Sequence, residues 1–230
     1  MTLVIALEAK DGIIMAGDTR GTIGDPRGLT AISDVHKKIF ELTRFCGIGI
    51  SGSSELGTAL LDGIQKKLSD SKVVFVGEAM SQTRLHVRAI YNDWFSQFPI
   101  DKRPVLLLTI AGCDKIEERR VPKIYLLNSQ LDYAPMLFDK GICMIGIPQY
   151  ATYLANRYYD RSMSKENVAA LAEFLIAETA SQDPKVGGPI SIAIISPANG
   201  YRELDEKELA QIRQRNDAQR ESMKRFFAGG

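Results

Sequence analysis

Residues 1–18 read MTLVIALEAKDGIIMAGD, and this stretch decides which fold the chain adopts. Leu3–Leu7 is an unbroken apolar run, which is typical of a strand that is buried on both faces. Residues 10–12, with the sequence KDG, have the composition of a tight hairpin turn. Gly12–Ala16 is a second apolar run and predicts the returning strand. We therefore expect the chain to open with a buried antiparallel hairpin.

Thr2 stands directly before this hairpin and carries a hydroxyl group. If Met1 is removed, Thr2 becomes the N-terminal residue and also carries a free α-amine, whose pKa is about 7.7–8.0. A nucleophile and a base on one residue are sufficient for covalent acyl chemistry without a histidine. A threonine after methionine is common, however, and by itself it is more often structural than catalytic. The residues that follow decide between the two interpretations.

The composition is that of an ordinary globular chain: 230 residues, 45% hydrophobic and 25% charged, with a formal net charge of +1. A chain of this length forms one large domain or two small ones. The near-neutral charge gives no reason to expect nucleic acid or an anionic membrane surface as a partner. No apolar run approaches the roughly 20 residues that span a bilayer, and the N-terminus lacks the pattern of a signal peptide.

The chain contains three cysteines and two histidines. The cysteines are widely spaced and embedded in apolar runs, which predicts buried, reduced thiols in a cytoplasmic protein. His36 and His86 show no metal-ligand spacing relative to each other or to the cysteines. We therefore expect no metal and no cofactor. His86 falls among apolar residues of a predicted helix, and we expect it to be structural.

Apolar periodicity and turn residues predict the remaining elements. Strands and helices follow each other in blocks, so the regular βαβ order of a parallel sheet is absent. This order predicts an α+β fold in which two antiparallel sheets pack together with helices outside, as a single domain over residues 1–230. The expected elements are a loop over 19–35, strands over 38–42 and 46–51, helices from about 53 to 68 and 76 to 95, strands over 105–112 and 123–127 with a solvated linker at 114–120, a strand over 141–147, helices over 150–159 and 165–180, a strand over 189–196, and a polar helix from about 204 to 227.

A catalytic N-terminal threonine requires a cation that stabilises the developing alkoxide, an acceptor that places this cation, and N–H donors for the oxyanion. The opening hairpin is expected to bring Asp18 back beside Thr2. Lys38 begins the next predicted strand and is able to point into the same cleft. Gly52 lies where a strand ends and a helix begins, so that its N–H is able to face a substrate carbonyl. The order of these residues, rather than any one of them, indicates catalysis.

Each of these residues also has a structural interpretation. Asp18 is equally suited to end a hairpin and pair with Arg20. Lys38 fits the description of a surface lysine, and Lys37 competes with it for the catalytic role. Gly52 fits a simple turn between a strand and a helix. The sequence leaves these alternatives open.

Eight stretches of the chain carry a family pattern: Thr2–Val4, Lys10–Asp18, Lys37–Leu42, Gly47–Gly52, Gly146–Pro148, Asp183, Gly187–Gly188 and Asn199–Tyr201. In this order they resemble the β-type subunits of the proteasome and the related bacterial peptidases, which are N-terminal threonine hydrolases. The resemblance covers about residues 2–202 and is most specific in the first fifty residues. No helix of the kind that precedes the first strand in α-type subunits is found here, which favours the β type.

The resemblance implies a four-layer αββα sandwich of two antiparallel sheets flanked by helices, as in Ntn hydrolases. It also implies a threonine endopeptidase that cleaves peptide bonds through an acyl-enzyme on Thr2 after removal of Met1. The expected substrate is a peptide or an unfolded protein. The expected assembly is a homo-oligomeric ring or shell, and an ATPase unfoldase is a conceivable partner.

The resemblance assigns roles to individual residues. The catalytic residues that it implies are Thr2 as nucleophile, Asp18 as acidic partner, Lys38 as the lysine, Gly52 as the oxyanion glycine, and Asp183 as a further acidic residue near the nucleophile. For substrate binding it implies Thr22, whose backbone would pair with a bound peptide, and His36, Ile50 and Ser54, which would line the first specificity pocket.

Two positions depart from the family pattern. Ile147 follows Gly146, and Val186 precedes Gly187, at places where the family usually has serines. Loss of both hydroxyls removes hydrogen bonds that orient the amine, and general acid–base assistance is typically worth about 10²–10⁴ in rate. Activity is therefore expected to be weak unless other serines substitute; the nearby candidates are Ser162, Ser164 and Ser181. Two other functions remain open: a non-catalytic structural subunit of a shell, and an acylase or amide ligase on the same fold.

Overall fold

The computed structural model describes residues 2–24 and 30–229, with the side chains of their helices and strands except those at positions 23, 24, 30 and 54. The predicted removal of Met1 thus concerns a residue outside the described part of the chain, as does the side chain of Ser54.

Twelve strands and five α-helices follow one another along the described residues. Two short 3₁₀ turns lie at Ile100–Lys102 and Ser129–Leu131. The strands and helices are β1 (Leu3–Ala9), β2 (Gly12–Gly17), β3 (Gly21–Gly24), β4 (Thr30–Ser33), β5 (Ile39–Thr43), β6 (Cys46–Gly52), α1 (Ser54–Asp70), α2 (Val76–Phe95), β7 (Leu106–Ile116), β8 (Arg119–Asn128), β9 (Met136–Leu137), β10 (Ile142–Gly146), α3 (Gln149–Tyr158), α4 (Lys165–Gln182), β11 (Ser191–Ser196), β12 (Gly200–Glu203) and α5 (Glu206–Phe227).

The strands form two five-stranded sheets and one small hairpin. The first sheet has the order β10-β1-β2-β11-β12 and the second the order β5-β6-β7-β8-β9, and all of their pairings are antiparallel. Strands β3 and β4 pair only with each other. The predicted α+β class with two antiparallel sheets is confirmed.

Three apolar clusters show how the layers stack. Helices α3, α4 and α5 cover the outer face of the first sheet, and α1 and α2 cover the outer face of the second. Between the sheets lies a third cluster, to which β1 contributes Val4 and β5 contributes Ile39. The molecule is therefore a four-layer αββα sandwich. Strand β1 is an unbroken apolar run because its alternate side chains, such as Val4 and Ile5, enter different clusters.

The opening hairpin has the predicted form. In β1 and β2, Ala9 is paired with Gly12 at the turn and Val4 with Gly17 at the open end. Strand β10 runs along the other side of β1 and pairs Gly146 with Leu3. The start of β1 therefore lies between the end of β2 and the end of β10, in the middle of the first sheet.

Two segments differ from the sequence prediction. The predicted loop over Thr19–Val35 contains strands β3 and β4, because residues with little apolar periodicity still pair through their backbones. The linker predicted at 114–120 belongs mostly to β7 and β8, which continue to a tight turn where Glu117 has a positive φ of 52°. The charged side chains of this segment are largely exposed. Their polarity therefore marks the exposed end of a continuous hairpin and not an interruption between two strands. Strand β9 was not predicted.

The C-terminal helix is polar and packs against α4. Asp205 and Glu208 form a capping box at its start. Leu209 is buried, and the Asn216 side chain donates a 2.9 Å hydrogen bond to the Ala170 carbonyl of α4. None of the described helices is both long enough and apolar enough to cross a membrane.

Candidate active site

Thr2 directly precedes β1 and is 2% exposed. Its carbonyl oxygen accepts a 2.8 Å hydrogen bond from the Ile147 N–H. On its other side, the Asp18 N–H donates to the Leu3 carbonyl at 3.2 Å. Gly146 has a φ of 97°, and a Cβ there would overlap the Thr2 carbonyl oxygen, so only glycine allows β10 to approach this closely. Backbone contacts from two strands thus hold Thr2 in place.

Asp18 is fully buried at the end of β2. Its carboxylate accepts hydrogen bonds from the Leu3 N–H at 3.0 Å and from the Gly187 N–H at 3.1 Å. Burial raises the pKa of Asp18, while these two donors and the charge of Lys38 oppose the rise. The Arg20 guanidinium forms its ion pair with Asp34, at 2.9 Å, so it acts on Asp18 only through its backbone N–H and its charge.

Lys38 is the buried member of the lysine pair. It is 5% exposed, whereas the Lys37 ammonium forms a 2.6 Å ion pair with Glu203 in a partly exposed position. Burial lowers the pKa of Lys38, and the negative charges of Asp18 and Glu55 oppose this shift. Among the described residues no hydrogen bond or close ion pair joins Lys38 to Asp18, so the two act on each other through space.

Gly52 ends β6 immediately before α1. Its φ is 107°, and a Cβ would overlap the Val105 carbonyl oxygen. The next residue, Ser53, caps α1 by accepting a hydrogen bond from the Leu56 N–H. The junction requires glycine for geometric reasons alone, and it also places the Gly52 backbone at the N-terminal end of a helix.

A cavity of about 260 Å³ brings these elements together. Of the residues predicted from the sequence, its lining includes Thr2, His36, Lys38, Ile50 and Gly52. Asp18 lies behind this surface. The wall is completed by Val35, Lys37, Phe40, Ser51 and Thr58, of which the sequence had singled out only Lys37, as the competitor of Lys38.

Two of the remaining predicted residues lie outside this lining. Asp183 follows α4, and its carboxylate accepts a 2.9 Å hydrogen bond from the Lys185 N–H in its own loop. Thr22 lies on β3, next to Gly21, which packs against the His36 ring. The hydroxyl of Thr22 is buried and has no hydrogen-bond partner in the described part of the chain. The roles expected for Thr22 and Asp183 remain predictions.

The two departures from the family pattern are apolar contacts. Ile147 and Val186 both belong to the cluster between the first sheet and its helices. The three serines that the sequence offered as substitutes lie at or near the ends of α4: Ser164 caps this helix, Ser181 is exposed and donates to the Glu178 carbonyl, and Ser162 is exposed near the start of the helix. No hydrogen bond joins any of the three to Thr2 in the part of the chain that the structure describes.

Ser51 is the hydroxyl that sequence reasoning missed. It is buried and lines the cavity together with Thr2. A signal was present in the strand pattern, because Gly47, Gly49 and Ser51 alternate along β6 and therefore share one face. Among the described residues there is no group of three or more His, Cys, Asp or Glu side chains suited to a metal ion.

Comparison with known proteins agrees with this arrangement. A family model described as "Proteasome subunit" matches residues 2–195. The protein named "Proteasome subunit beta" from Methanopyrus kandleri is 22% identical to this chain over 217 residues, an alignment that covers 92% of this chain and 94% of the relative.

Proposed function

The chain belongs to the proteasome subunit family, and from this premise we propose that it is a β-type threonine peptidase. The observation that carries the proposal is the cavity in which Thr2, Lys38 and Gly52 meet, with Asp18 buried behind them. Membership of a family of proteolytic particles supports peptide-bond hydrolysis at the coarse level. The arrangement around Thr2 supports the finer assignment of the nucleophile.

The proposed reaction begins with Thr2 as the N-terminal residue, after removal of Met1. The α-amine takes the proton of the Thr2 hydroxyl while Oγ1 attacks the substrate carbonyl carbon. The tetrahedral oxyanion is stabilised by the Gly52 N–H. The peptide C–N bond then breaks, and the leaving amine takes the proton from the Thr2 ammonium. Water attacks the resulting ester and regenerates Thr2.

Lys38 and Asp18 supply the electrostatics of this proposal. A cation beside Thr2 lowers the energy of the developing alkoxide and favours the neutral form of the amine. Burial opposes the charge on Lys38, and the negative charge of Asp18 compensates in part. The Asp18 carboxylate also accepts hydrogen bonds from the N–H groups of Leu3 and Gly187. It therefore supplies a negative charge and also fixes the backbone next to Thr2.

The proposed substrate is an unfolded segment or a peptide with a medium-sized, largely neutral side chain at the cleavage site. The cavity volume and its apolar wall, which includes Ile50, support this choice. His36 and Ser54 are proposed to complete the pocket, and the Thr22 backbone to pair with the peptide. Asp183 is proposed to assist at the nucleophile through its loop.

The family forms oligomeric particles, and we propose that this chain, as a single domain, builds a homo-oligomeric ring or shell. An ATPase unfoldase that delivers unfolded protein is part of the same proposal. The free cysteines of the described chain are all buried, which fits a reducing compartment such as the cytoplasm.

The test combines N-terminal mass, covalent labelling and turnover. We expect the mature protein to begin at Thr2, a threonine-directed epoxyketone to label that residue, and Thr2→Ala to abolish both labelling and peptide cleavage. Thr152→Ala removes an exposed threonine from α3 and serves as the matched control. Full peptidase activity in pure Thr2→Ala protein would contradict the proposal.

Two other functions predict different results. A structural subunit of a shell is favoured by the apolar Ile147 and Val186 beside Thr2. In that case the assembled protein would retain Met1 and show no labelling. An acylase or amide ligase would be labelled at Thr2 but would turn over simple amides rather than peptides.

A further inference from the structure

One face of β6 lies directly against the opening hairpin. A Cβ on Gly47 would lie 2.6 Å from the Met15 sulfur, and one on Gly49 would lie 2.5 Å from Cγ1 of Val4. Both positions therefore need glycine so that the sheets can approach each other. Because side chains alternate along a strand, Ser51 is the next residue of β6 on this face.

The contacts of β1 show which residue lies near Ser51. Val4 packs against Gly49, and Thr2 lies two residues before Val4, directly ahead of β1, where it lines the same cavity as Ser51. The two strands thus bring Ser51 to the Thr2 end of the sheet. A Cβ built on Gly146, the residue in contact with the Thr2 carbonyl, would lie 3.1 Å from the Ser51 Oγ.

The Ser51 hydroxyl is placed where it is able to serve Thr2. Ser51 is 5% exposed and lines the same cavity as Thr2. Its Oγ has no hydrogen-bond partner within residues 2–24 and 30–229, and it is not one of the fully enclosed polar atoms without a partner in that part of the chain. The hydroxyl is therefore open to the cavity and free to accept or donate a hydrogen bond there.

Positions 147 and 186 provide no hydroxyl near Thr2, because they hold Ile147 and Val186, which are packed in an apolar cluster. A Thr2 α-amine that is to act as a base needs a neighbour that fixes its orientation toward its own hydroxyl. We infer that Ser51 is this positioning residue: its hydroxyl hydrogen-bonds the α-amine of Thr2 and replaces the hydroxyls lost at positions 147 and 186. The inference rests on the proposed function.

Several charged groups set the pKa of the amine that Ser51 contacts. Lys38 at the start of β5 favours the neutral amine, and Asp18 at the end of β2 favours the ammonium. Within the described part of the chain, further titratable groups near this end are His36 and Lys37 in the cavity wall, Glu55 in the first turn of α1, which acts on Lys38, and Arg20, whose charge acts on Asp18. Ser51 is uncharged, but its oxygen accepts a hydrogen bond from the ammonium and so favours the charged form.

Ser51→Ala should therefore change both the rate and its pH dependence. We expect kcat to fall by about 10–100-fold, which is part of the range for general acid–base assistance, with KM unchanged within about twofold. The acidic limb of the kcat/KM profile should move to lower pH, because the ammonium loses an acceptor. Ser51→Thr keeps a hydroxyl and should recover most of the rate. Ser81→Ala makes the same chemical change on the exposed side of α2 and should behave like the unchanged protein.

A second measurement does not depend on turnover. The Thr2 α-amine is titrated by its pH-dependent reductive methylation, which is followed by mass spectrometry of the N-terminal peptide. Ser51→Ala should lower the pKa of this amine, and Ser81→Ala should not. Thermal unfolding verifies that each variant is folded; if the alanine variant unfolds, Ser51→Cys, of similar volume and with a weaker donor, takes its place.

The outcomes separate the inference from the function on which it rests. If the unchanged protein cleaves peptides through Thr2 but Ser51→Ala keeps its kcat, pH profile and amine pKa, the inference is overturned and the peptidase remains. If the unchanged protein begins at Thr2 yet shows neither labelling nor cleavage, the proposed function is overturned, and Ser51 with it.

Discussion

The two sides of Thr2 differ in polarity. On what we call the polar side lie Asp18, Lys38 and Ser51, all nearly or completely buried. On the apolar side lie Ile147 and Val186, which belong to the core between the first sheet and its helices. Burying charge is costly unless the charges are hydrogen-bonded or paired, so a fold retains it only where it has a use. Under the proposed function, this difference confines the chemistry to one side of Thr2.

The two sides also hold the chain in different ways. The apolar side acts through its backbone, with the Ile147 N–H on the Thr2 carbonyl and the Gly187 N–H on Asp18. The polar side contacts the cavity through side chains, whose charges and hydrogen bonds are able to stabilise charge that develops during a reaction. Backbone hydrogen bonds supported by a packed core give rigidity, whereas side chains in a cavity give reactivity. Substitutions on the two sides should therefore change different quantities.

The largest effect is expected from Lys38→Met on the polar side. Removal of the cation beside Thr2 should lower kcat/KM for a peptide substrate by about 10²–10³-fold, as when an electrostatic donor is deleted from an active site. The measurement is steady-state cleavage with the concentration of folded protein determined independently. Turnover within threefold of the unchanged protein would show that the polar side is not catalytic.

The same variant should alter the dependence of stability on pH. Burial already raises the pKa of Asp18, and loss of the Lys38 charge raises it further. A raised pKa in the folded state means that stability is fully present below the unfolded value of about 3.9 and is lost as the pH rises through the folded value. The stability deficit of Lys38→Met should thus be smallest near pH 4 and grow toward neutral pH in urea titrations. A deficit independent of pH would contradict this coupling.

Gly52→Ala should have the second largest effect, since it changes both function and stability. The positive φ and the overlap of a Cβ with the Val105 carbonyl should destabilise the fold by about 1–3 kcal/mol. Movement of the Gly52 N–H should also lower kcat by about 10²-fold. Gly229→Ala is the matched control, because Gly229 has a φ of 77° but no atom within 4 Å of a built Cβ. Equal destabilisation by both variants would show that the Val105 contact is unimportant.

Ile147→Ala on the apolar side should change stability alone. Truncation of this buried side chain should lower the free energy of unfolding by about 2–3 kcal/mol, at the low end for such sites because Ile147 lies at the rim of its cluster. The kcat per folded molecule should stay within about threefold. Ile147→Val serves as the conservative control, with an expected loss of about 0.5–1.5 kcal/mol. A loss of kcat comparable to that of Lys38→Met would remove the distinction between the two sides.

Lys37→Met should have the smallest effect on stability. Its ion pair with Glu203 is partly exposed on both partners, and such pairs contribute about 0–1 kcal/mol. Chemical unfolding at low and high salt measures the contribution. The pH-dependent deficit expected for Lys38→Met should be absent here, because Lys37 does not act on a buried carboxylate. If Lys37→Met reproduced that deficit, the assignment of the buried lysine to position 38 would fail.

Local patterns in the sequence were sufficient to predict most elements. The bounds of α2 agree with the predicted 76–95, and β1 and β2 agree within two residues of their predicted ends. Periodicity and turn chemistry act over a few residues, so they are readable without knowledge of the partner surfaces. Strands β3 and β9 were missed because their pairing depends on backbone contacts rather than on a pattern of apolar side chains.

The candidate site was predicted only in part. The order of Thr2, Asp18, Lys38 and Gly52 along the chain was informative because a hairpin and a strand–helix junction have predictable directions. The sequence order was not sufficient to choose between Lys37 and Lys38. That choice depends on Glu203, which pairs with Lys37 and lies more than 160 residues away along the chain. The same cause explains why proximity in sequence was a weak guide to Ser162, Ser164 and Ser181, of which Ser164 caps α4 and the other two are exposed.

The sequence by itself determined that the chain opens with a hairpin buried on both faces, because an unbroken apolar run has no exposed face to offer. It also determined that Thr2 stands at the start of that hairpin. Only the tertiary structure decided that Ser51 lines the same cavity as Thr2 and that positions 147 and 186 continue the core. Those relations arise where two sheets and a helical layer meet, and burial at such a junction depends on residues that are distant along the chain.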